Sequence, residues 1–224
     1  TDAKKRLGDV PKEAIAVVLS AQHSLEDNWA MRELSTLLSP GSSGSLYAAG
    51  AGTGYADDIL IDADKNPNTA GVRELAKGAK SYAELLDDVR SGRISHVIAL
   101  GGITPRSASE DAAALGMLGT LVVIASHEGA LTEAAHVVLP ATSWAEQTGT
   151  YVNRRGTRQV AERAIAPQGA SKPAWELTRL LGGALGLDVS WSRLKDIRAA
   201  LIGVGGTGAA ARDATSAITS SGAT

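Results

Sequence analysis

The chain has 224 residues, 44% hydrophobic and 21% charged, with a formal net charge of -2 and a mean hydropathy near zero. That length suits one large domain or one domain with an appendage. The near-neutral balance gives no electrostatic case for nucleic acid or an anionic membrane as partner. No apolar run approaches the ~18 to 20 residues that span a bilayer, and no signal peptide is visible. There is no cysteine, which excludes disulfides, thiolate zinc sites, a cysteine nucleophile and cysteine-ligated iron–sulfur clusters within these residues. It also fits a reducing compartment. The first residue is Thr1 rather than Met, so the chain is expected to be a piece of something longer.

Short apolar runs alternate with helical patterns, which predicts a parallel α/β sheet. "AIAVVLS" (14–20) reads as a first strand, and "LEDNWAMRELSTLLS" (25–39) as a helix with Leu25, Trp29, Leu34 and Leu37–Leu38 on one face. "GSLYAAG" (44–50) reads as a second strand. After a long loop, "SYAELLDDVRSG" (81–92) has Ser81 as N-cap, Glu84 completing a capping box and Gly92 as the stop. Asp87–Asp88 are expected on its solvated surface. "SHVIAL" (95–100) is a buried strand, "SASEDAAALG" (107–116) a helix, and "TLVVIAS" (120–126) a second buried strand. "EGALTEAA" (128–135) and "HVVLP" (136–140) follow as a short helix and a short strand expected to be buried. Repeated strand–helix–strand units give right-handed crossovers and a doubly wound sheet.

Beyond Pro140 the pattern changes. "TYVNR" and "RQVAE" are expected to pair as a hairpin across Arg155–Gly156, with helices over 172–186 and 192–203. The expected organisation is a Rossmann-like α/β domain over 1–140, a corner plus helical extension over 141–203, and a Gly/Ala/Ser-rich tail over 204–224. The fold class is therefore α/β, a doubly wound, mostly parallel sheet with a C-terminal hairpin and helical extension.

Several motifs fail on inspection. In "LIDADKNPNTAGV" (60–72), Asp62, Asp64, Asn66 and Asn68 alternate like calcium-loop ligands. An EF-hand, however, needs Gly and Glu where this chain has Pro67 and Arg73; an Asn–Pro turn with Asx hydrogen bonds is the better reading. "GAGTGYADD" (50–58) lacks the third glycine of a dinucleotide loop, and Asp57–Asp58 would repel phosphate; a flexible loop is expected. The histidines His23, His96, His127 and His136 show no metal-ligand spacing. His96 and His136 sit at strand starts, where neighbours can satisfy them. No G-x-S-x-G elbow is present.

"LGGITPRS" (100–107) is better placed, at the carboxyl end of a buried strand where doubly wound sheets bind ligands. Gly101 and Gly102 allow close backbone approach, and Arg106 supplies charge. A tight strand-to-helix turn would use the same residues.

The densest turn chemistry lies in "VVLPATSWAEQTGTYVNRRGTRQ" (137–159). Gly149 and Gly156 permit unusual backbone conformations, Thr150 and Asn153 can bond to backbone, and Trp144 can cover the corner from water. The run Val137–Pro140, Trp144, Glu146, Gly149–Thr150, Asn153, Gly156 and Gln159 resembles the signature of the molybdopterin oxidoreductase superfamily. "TEAAHVVLP" (132–140) resembles its usual approach. Within that superfamily, "GYADDILIDADKNPNTAGVREL" (54–75) and "AVVLSAQHSLEDNWAMREL" (16–34) are similar to the large iron–sulfur subunit of bacterial NADH:quinone oxidoreductase, respiratory complex I. The likeness covers roughly 14–185. It departs where the family often has Glu-Gly-Arg and this chain has Arg155, Gly156 and Thr157 before Arg158.

The resemblance implies a scaffold fragment of an electron-transfer subunit, with no catalytic residue and no metal ligand in this segment. It implies iron–sulfur clusters in an N-terminal part of the same subunit. Partners would be that part and other peripheral-arm subunits, on the cytoplasmic face of the inner membrane. The alternative it leaves open is a molybdopterin-binding domain of formate dehydrogenase or nitrate reductase type. There Gly101, Gly102, Arg106, Ser126, Gly149, Thr150 and Asn153 would be the cofactor-binding residues, with the Ser126–Glu128 strand end cradling pterin phosphates. A free-standing small-ligand α/β domain would leave 141–160 unexplained. A pterin-sized cavity at the strand ends favours the molybdenum enzyme, and side chains filling that crevice favour the scaffold.

Overall fold

The computed structural model describes residues 2–41 and 45–202; the proposed tail over 204–224 lies outside them. In chain order the elements are α1 (Asp2–Leu7), a 3-10 turn (Lys12–Ala14), β1 (Ile15–Ser20), α2 (Leu25–Leu38), β2 (Leu46–Ala49), α3 (Thr69–Leu75), β3 (Lys80–Ser81), α4 (Tyr82–Arg90), β4 (His96–Leu100), α5 (Ala108–Leu115), β5 (Thr120–Ala125), α6 (Ala130–Ala134), β6 (Val137–Pro140), β7 (Gly149–Val152), β8 (Arg158–Ala161), α7 (Ala174–Ala184) and α8 (Leu194–Ile202). Six strands form one parallel sheet in the order β3-β2-β1-β4-β5-β6. The order reverses between β1 and β4, the switch point of a doubly wound sheet. The expected α/β fold is what the chain adopts.

Why these strands pair at the centre follows from their composition. Every residue of β1 and β5 is buried, as continuous Ile/Val/Leu/Ala runs require when helices cover both faces. Side chains alternate between the two layers. Ile15, Val17 and Leu19 face a cluster with Leu7, Met31 and Leu181 from α1, α2 and α7. Ala16 and Val18 face Tyr82, Leu85 and Leu115 from α4 and α5. A third cluster lies on the outer side of α2, where Leu25 and Trp29 meet Val152, Trp191 and Ile197. Trp29 and Trp191 stack edge-on, centroids 5.3 Å apart.

Helix α2 is thus packed on several sides, where its spacing predicts a single buried face. Its first turn shows the consequence. Glu26, Asp27 and Asn28 are fully buried, and three consecutive residues point about 100° apart around a helix, so each reaches a different neighbour. Asn28 takes the turn leaving β1. Its Oδ1 accepts the Ser20 amide at 2.9 Å, and its Nδ2 donates to the Ser20, His23 and Ser24 carbonyls at 2.9, 3.2 and 2.8 Å.

The predicted capping box of Ser81 with Glu84 forms, and the structure adds a second, Ser107 with Glu110. The hairpin forms too: β7 and β8 pair antiparallel with Tyr151 opposite Gln159. Three expectations need correcting. β6 is an edge strand that alternates half-buried and exposed residues, not a buried one, because among the described residues nothing covers Val138 and Pro140 on its far side. Asp88 is not simply solvated: Tyr47 Oη donates to it at 2.8 Å, and Lys80 and Arg93 pair with it. Asp87 does stay on the surface, beside Arg90. His96 Nδ1 is buried without a hydrogen-bond partner among the described residues, whereas His136 Nδ1 accepts the Leu121 amide at 3.0 Å.

In "DADKNPN" the Asx turns are present: Asp62 Oδ1 accepts the Asp64 amide and Asp64 Oδ1 accepts the Asn66 amide, at 3.2 and 3.0 Å. No described helix is long and apolar enough to cross a membrane.

Asn28→Ala strands the buried Ser20 amide and frees three carbonyls. It is expected to destabilise the fold by about 2–4 kcal/mol, read from the midpoint shift in urea unfolding. A shift under about 0.5 kcal/mol, the surface-substitution range, would show that Asn28 does not anchor the turn.

Candidate functional site

Neighbouring strands whose crossovers leave on opposite faces must open a crevice at their carboxyl ends. Here the loops after β1 and β4 part, and the loops after β5 and β6 complete the rim. The cavity between them measures about 280 Å³ and is lined by residues that include Gln22, His23, Gly101, Gly102, Ser126 and Gln147. Trp144, expected to shield the corner, stands at this rim and is 66% exposed. A wider groove of about 580 Å³ runs along Glu146, Glu162, Pro173 and Glu176. It is open surface away from the strand ends, and Glu146 is already engaged by the Ser143 and Gln168 amides at 2.7 and 2.8 Å. The strand-end crevice is the candidate site.

The seven residues singled out in the sequence separate into two groups. Gly101, Gly102 and Ser126 line the crevice. Gly101 has φ of +76°, and a Cβ there would lie 2.8 Å from His23 Cε1 and 2.9 Å from Ser20 Oγ. The glycine therefore makes room for an imidazole of this chain. A Cβ on Gly102 would meet the His127 carbonyl at 3.1 Å, and Ser126 Oγ lies 2.8 Å from His127 Nδ1.

The other four lie outside the crevice. Arg106 turns back to Asp111, Nε to Oδ1 3.0 Å, whose side chain is 1% exposed. Asn153 Oδ1 accepts the amides of Arg155 and Thr157 at 2.9 and 3.0 Å and so closes the hairpin turn, with Gly156 at φ +79°. Thr150 donates to Glu26 through its amide at 2.7 Å and its hydroxyl at 2.9 Å. Gly149 lies so close to α2 that a Cβ would stand 2.6 Å from Ser24 Cβ. The signature corner is thus the clamp on the first turn of α2. Gln147 Nε2 donates to Asp27 Oδ2 at 2.9 Å, and the Trp175 amide at the start of α7 donates to Asp27 Oδ1 at 2.9 Å. Arg198 of α8 reaches Glu26 at 3.0 Å.

The electrostatics follow from burial. Enclosure, with His127 nearby, pulls the His23 imidazole down to about 4, so the ring is neutral at pH 7. Burial also pushes the Asp27 carboxyl up, opposed by its bonds from Ser24, Trp175 and Gln147. The Tyr151 phenol at the crevice floor is pushed well up by burial and by Asp27 and Glu26.

The molybdopterin alternative left open by the family resemblance implies a phosphate-bearing pterin at the strand ends. The residues present do not fit one. None of the described residues lining the crevice is Lys or Arg. The conformation that would admit a ligand at Gly101 admits His23 instead.

His23, Gln147 and Tyr151 escaped the sequence reading. His23 had a usable signal, since it follows a buried strand's carboxyl end just as Gly101 does. Gln147 and Tyr151 had none, because what places them is their contact with α2.

Two outcomes follow. A Gly149→Ala side chain must push Ser24 and the helix cap it forms, at an expected cost of about 1–3 kcal/mol in urea unfolding; a neutral result would mean the corner is free to move. Between pH 6.5 and about 4 the unfolded chain protonates His23 and the native chain does not. Stability should therefore fall as pH falls through that window, by on the order of 2 kcal/mol after allowing for partial exposure of the ring. Asp27, pushed upward, contributes the opposite slope above pH 3.8, and it does so equally in wild type and in His23→Gln. The difference between the two proteins' pH profiles isolates His23, and superimposable profiles would contradict the buried neutral ring.

Comparison with protein families matches residues 12–184 to the family described as molybdopterin oxidoreductase. The G subunit of NADH-quinone oxidoreductase from Rickettsia conorii is 37% identical over 83 residues, covering 37% of this chain and 12% of the relative. Its counterpart from Rickettsia felis is 42% identical over 67 residues, covering 30% and 10%. A Staphylococcus aureus (strain USA300) protein named "Putative formate dehydrogenase" is 29% identical over 152 residues, covering 65% and 15%. The matched stretches are thus a small part of each relative's own length. The family match runs from the turn before β1 to the end of α7 and takes in both the wound sheet and its clamp: the chain belongs to the molybdopterin oxidoreductase family.

Proposed function

We propose that this chain is a scaffold segment of a large electron-transfer subunit of the NADH-quinone oxidoreductase type, and that it carries no redox centre itself. The observation that carries the reading is the switch-point crevice. Its glycine-lined strand end receives His23, and among the described residues its wall offers no Lys or Arg to an anionic cofactor. The two Rickettsia relatives, both named as NADH-quinone oxidoreductase subunits, support the assignment.

In the assembly so proposed, electrons pass from NADH through iron–sulfur clusters held by an N-terminal part of the same subunit, and on to quinone. This segment keeps the cluster-bearing part and the neighbouring peripheral-arm subunits at fixed separation, on the cytoplasmic face of the inner membrane. The bracing of α2 supports that task. Two carboxylates and an amide at the start of α2 are each satisfied by a different part of the chain.

The second reading, a molybdopterin-binding domain, draws on the longer match to the formate dehydrogenase relative. In it the Gly101–Arg106 loop would present backbone amides to phosphate. The two readings part on metal content. The intact complex, purified and analysed by plasma mass spectrometry, is expected to contain stoichiometric iron and no stoichiometric molybdenum. One molybdenum per complex would overturn the scaffold reading.

A further inference from the structure

In an antiparallel pair, ladder bonds are exchanged at every second pair of residues, and the residues between turn their N–H and C=O groups away from the partner strand. On β7 the outward amides are those of Thr150 and Val152, which donate to Glu26 and Asn68. Opposite them on β8 stand Val160 and Arg158, so these two turn their backbone groups outward on the other side of the hairpin. The same alternation carries on to Glu162. Among the described residues nothing pairs with the amides of Arg158, Val160 and Glu162, and all three residues are exposed. The two edges of the hairpin are thus unlike. Buried side chains close the first, and the second is open.

An open strand edge is a template for another strand, and the side chains on this one say which strand. Successive side chains alternate between faces, which puts Arg158, Val160 and Glu162 on one face in the order cation, valine, anion. Turned over about a two-fold axis at Val160, that row is its own complement. Arg158 of each copy then stands opposite Glu162 of the other, Val160 opposite Val160, and the outward backbone groups of all three meet in the same register. Thr157 falls opposite Arg163 and Gln159 opposite Ala161, so no like charges face each other. An axis at Arg158 or at Glu162 would oppose like charges, which is unfavourable; one at Gln159 or Ala161 would set Val160 against a charge. Edge charges of one sign keep strands apart, whereas opposite signs placed evenly about an apolar residue select a register. Both side chains have capacity for the contact. Arg158 gives Nη2 to Glu74 and keeps further N–H donors, and Glu162 takes the Thr148 hydroxyl on Oε2.

We infer that β8 is a self-pairing edge, through which two copies of this chain join antiparallel about a two-fold axis at Val160. β7, β8 and their counterparts then form one four-stranded sheet. Such a contact closes on itself and covers the edge in both copies. It lies apart from the strand-end crevice, so it does not depend on the scaffold reading.

Sedimentation velocity of the full-length polypeptide over a range of concentrations tests this, and a reversible dimer is expected. Glu162→Arg sets a second cation opposite Arg158 twice per dimer and should raise the dimer dissociation constant by about tenfold. Arg158→Glu/Glu162→Arg restores opposite charges and should bring it back to within about threefold of wild type. Val160→Pro removes an outward amide while sparing the β7–β8 ladder; it should abolish the dimer and leave the thermal transition of the monomer in place. A monomer at every concentration, a dimer indifferent to Glu162→Arg, or equal weakening by the single and the double charge variant would overturn the proposal. Should the double variant fail to fold because Glu74 has lost Arg158, Val160→Cys decides. Paired residues of an antiparallel ladder lie about 5.5 Å apart, within reach of a disulfide, so mild oxidation is expected to link the two substituted positions. A mass spectrum without that linked peptide would count against the pairing just as firmly. None of these readouts moves with molybdenum content, so failure here and failure of the scaffold reading are distinguishable.

Discussion

Three side chains at the start of one helix set the terms for the rest of the molecule. Glu26, Asp27 and Asn28 are fully buried, and a buried carboxylate costs several kcal/mol unless donors replace the water it loses. Those donors come from far along the chain: Thr150 and Arg198 for Glu26, Gln147 and the Trp175 amide for Asp27. Asn68 adds a further tie, giving its Nδ2 to the His23 carbonyl and taking the Val152 amide on Oδ1, at 2.8 and 2.9 Å. The polar density of residues 142–159 is thus a consequence. Once a parallel sheet has buried the N-terminus of its first crossover helix with acids in it, a later segment must bring donors there.

This also explains what could be read in the sequence and what could not. The central strands were legible because burial on both faces forces continuous apolar runs, as in Ile15–Leu19 and Leu121–Ile124. The capping box at Ser81 and the hairpin at Gly156 were legible because their partners lie within four residues. α3 was lost among turn residues: it is a seven-residue helix with Gly71 inside it and no side-chain cap bond at Asn68. β3 is two residues long and borrows its hydrogen bonds from β2, so it has no pattern of its own. The acidic first turn of α2 reads from sequence as a solvated helix start. Only contacts more than a hundred residues away reveal it as interior.

The same asymmetry governs the candidate site. Gly101, Gly102 and Ser126 follow buried strands and so could be placed at the crevice from topology alone. Thr150 and Asn153 belong to a real motif, but its work is done against α2 and within the hairpin turn. Arg106 looked available because its partner, Asp111, is a helix residue five positions on that the fold buries. A motif can therefore locate a family while misplacing the role of its members, since position and partner are set by different parts of the chain.

A doubly wound sheet cannot avoid the gap at its switch point, because the two crossovers that diverge there leave nothing above the strand ends. The gap must be filled by a ligand or by the protein, or else hold water against polar walls. Narrowing it with protein needs a side chain that is bulky, uncharged when enclosed and able to bond to the strand end. His23 meets these conditions: its ring is neutral at pH 7, sits against Gly101 and lies 3.1 Å from Ser20 Oγ. Charging that ring would place a cation beside His127 in an enclosed space. The depressed pKa follows from that enclosure and from His127.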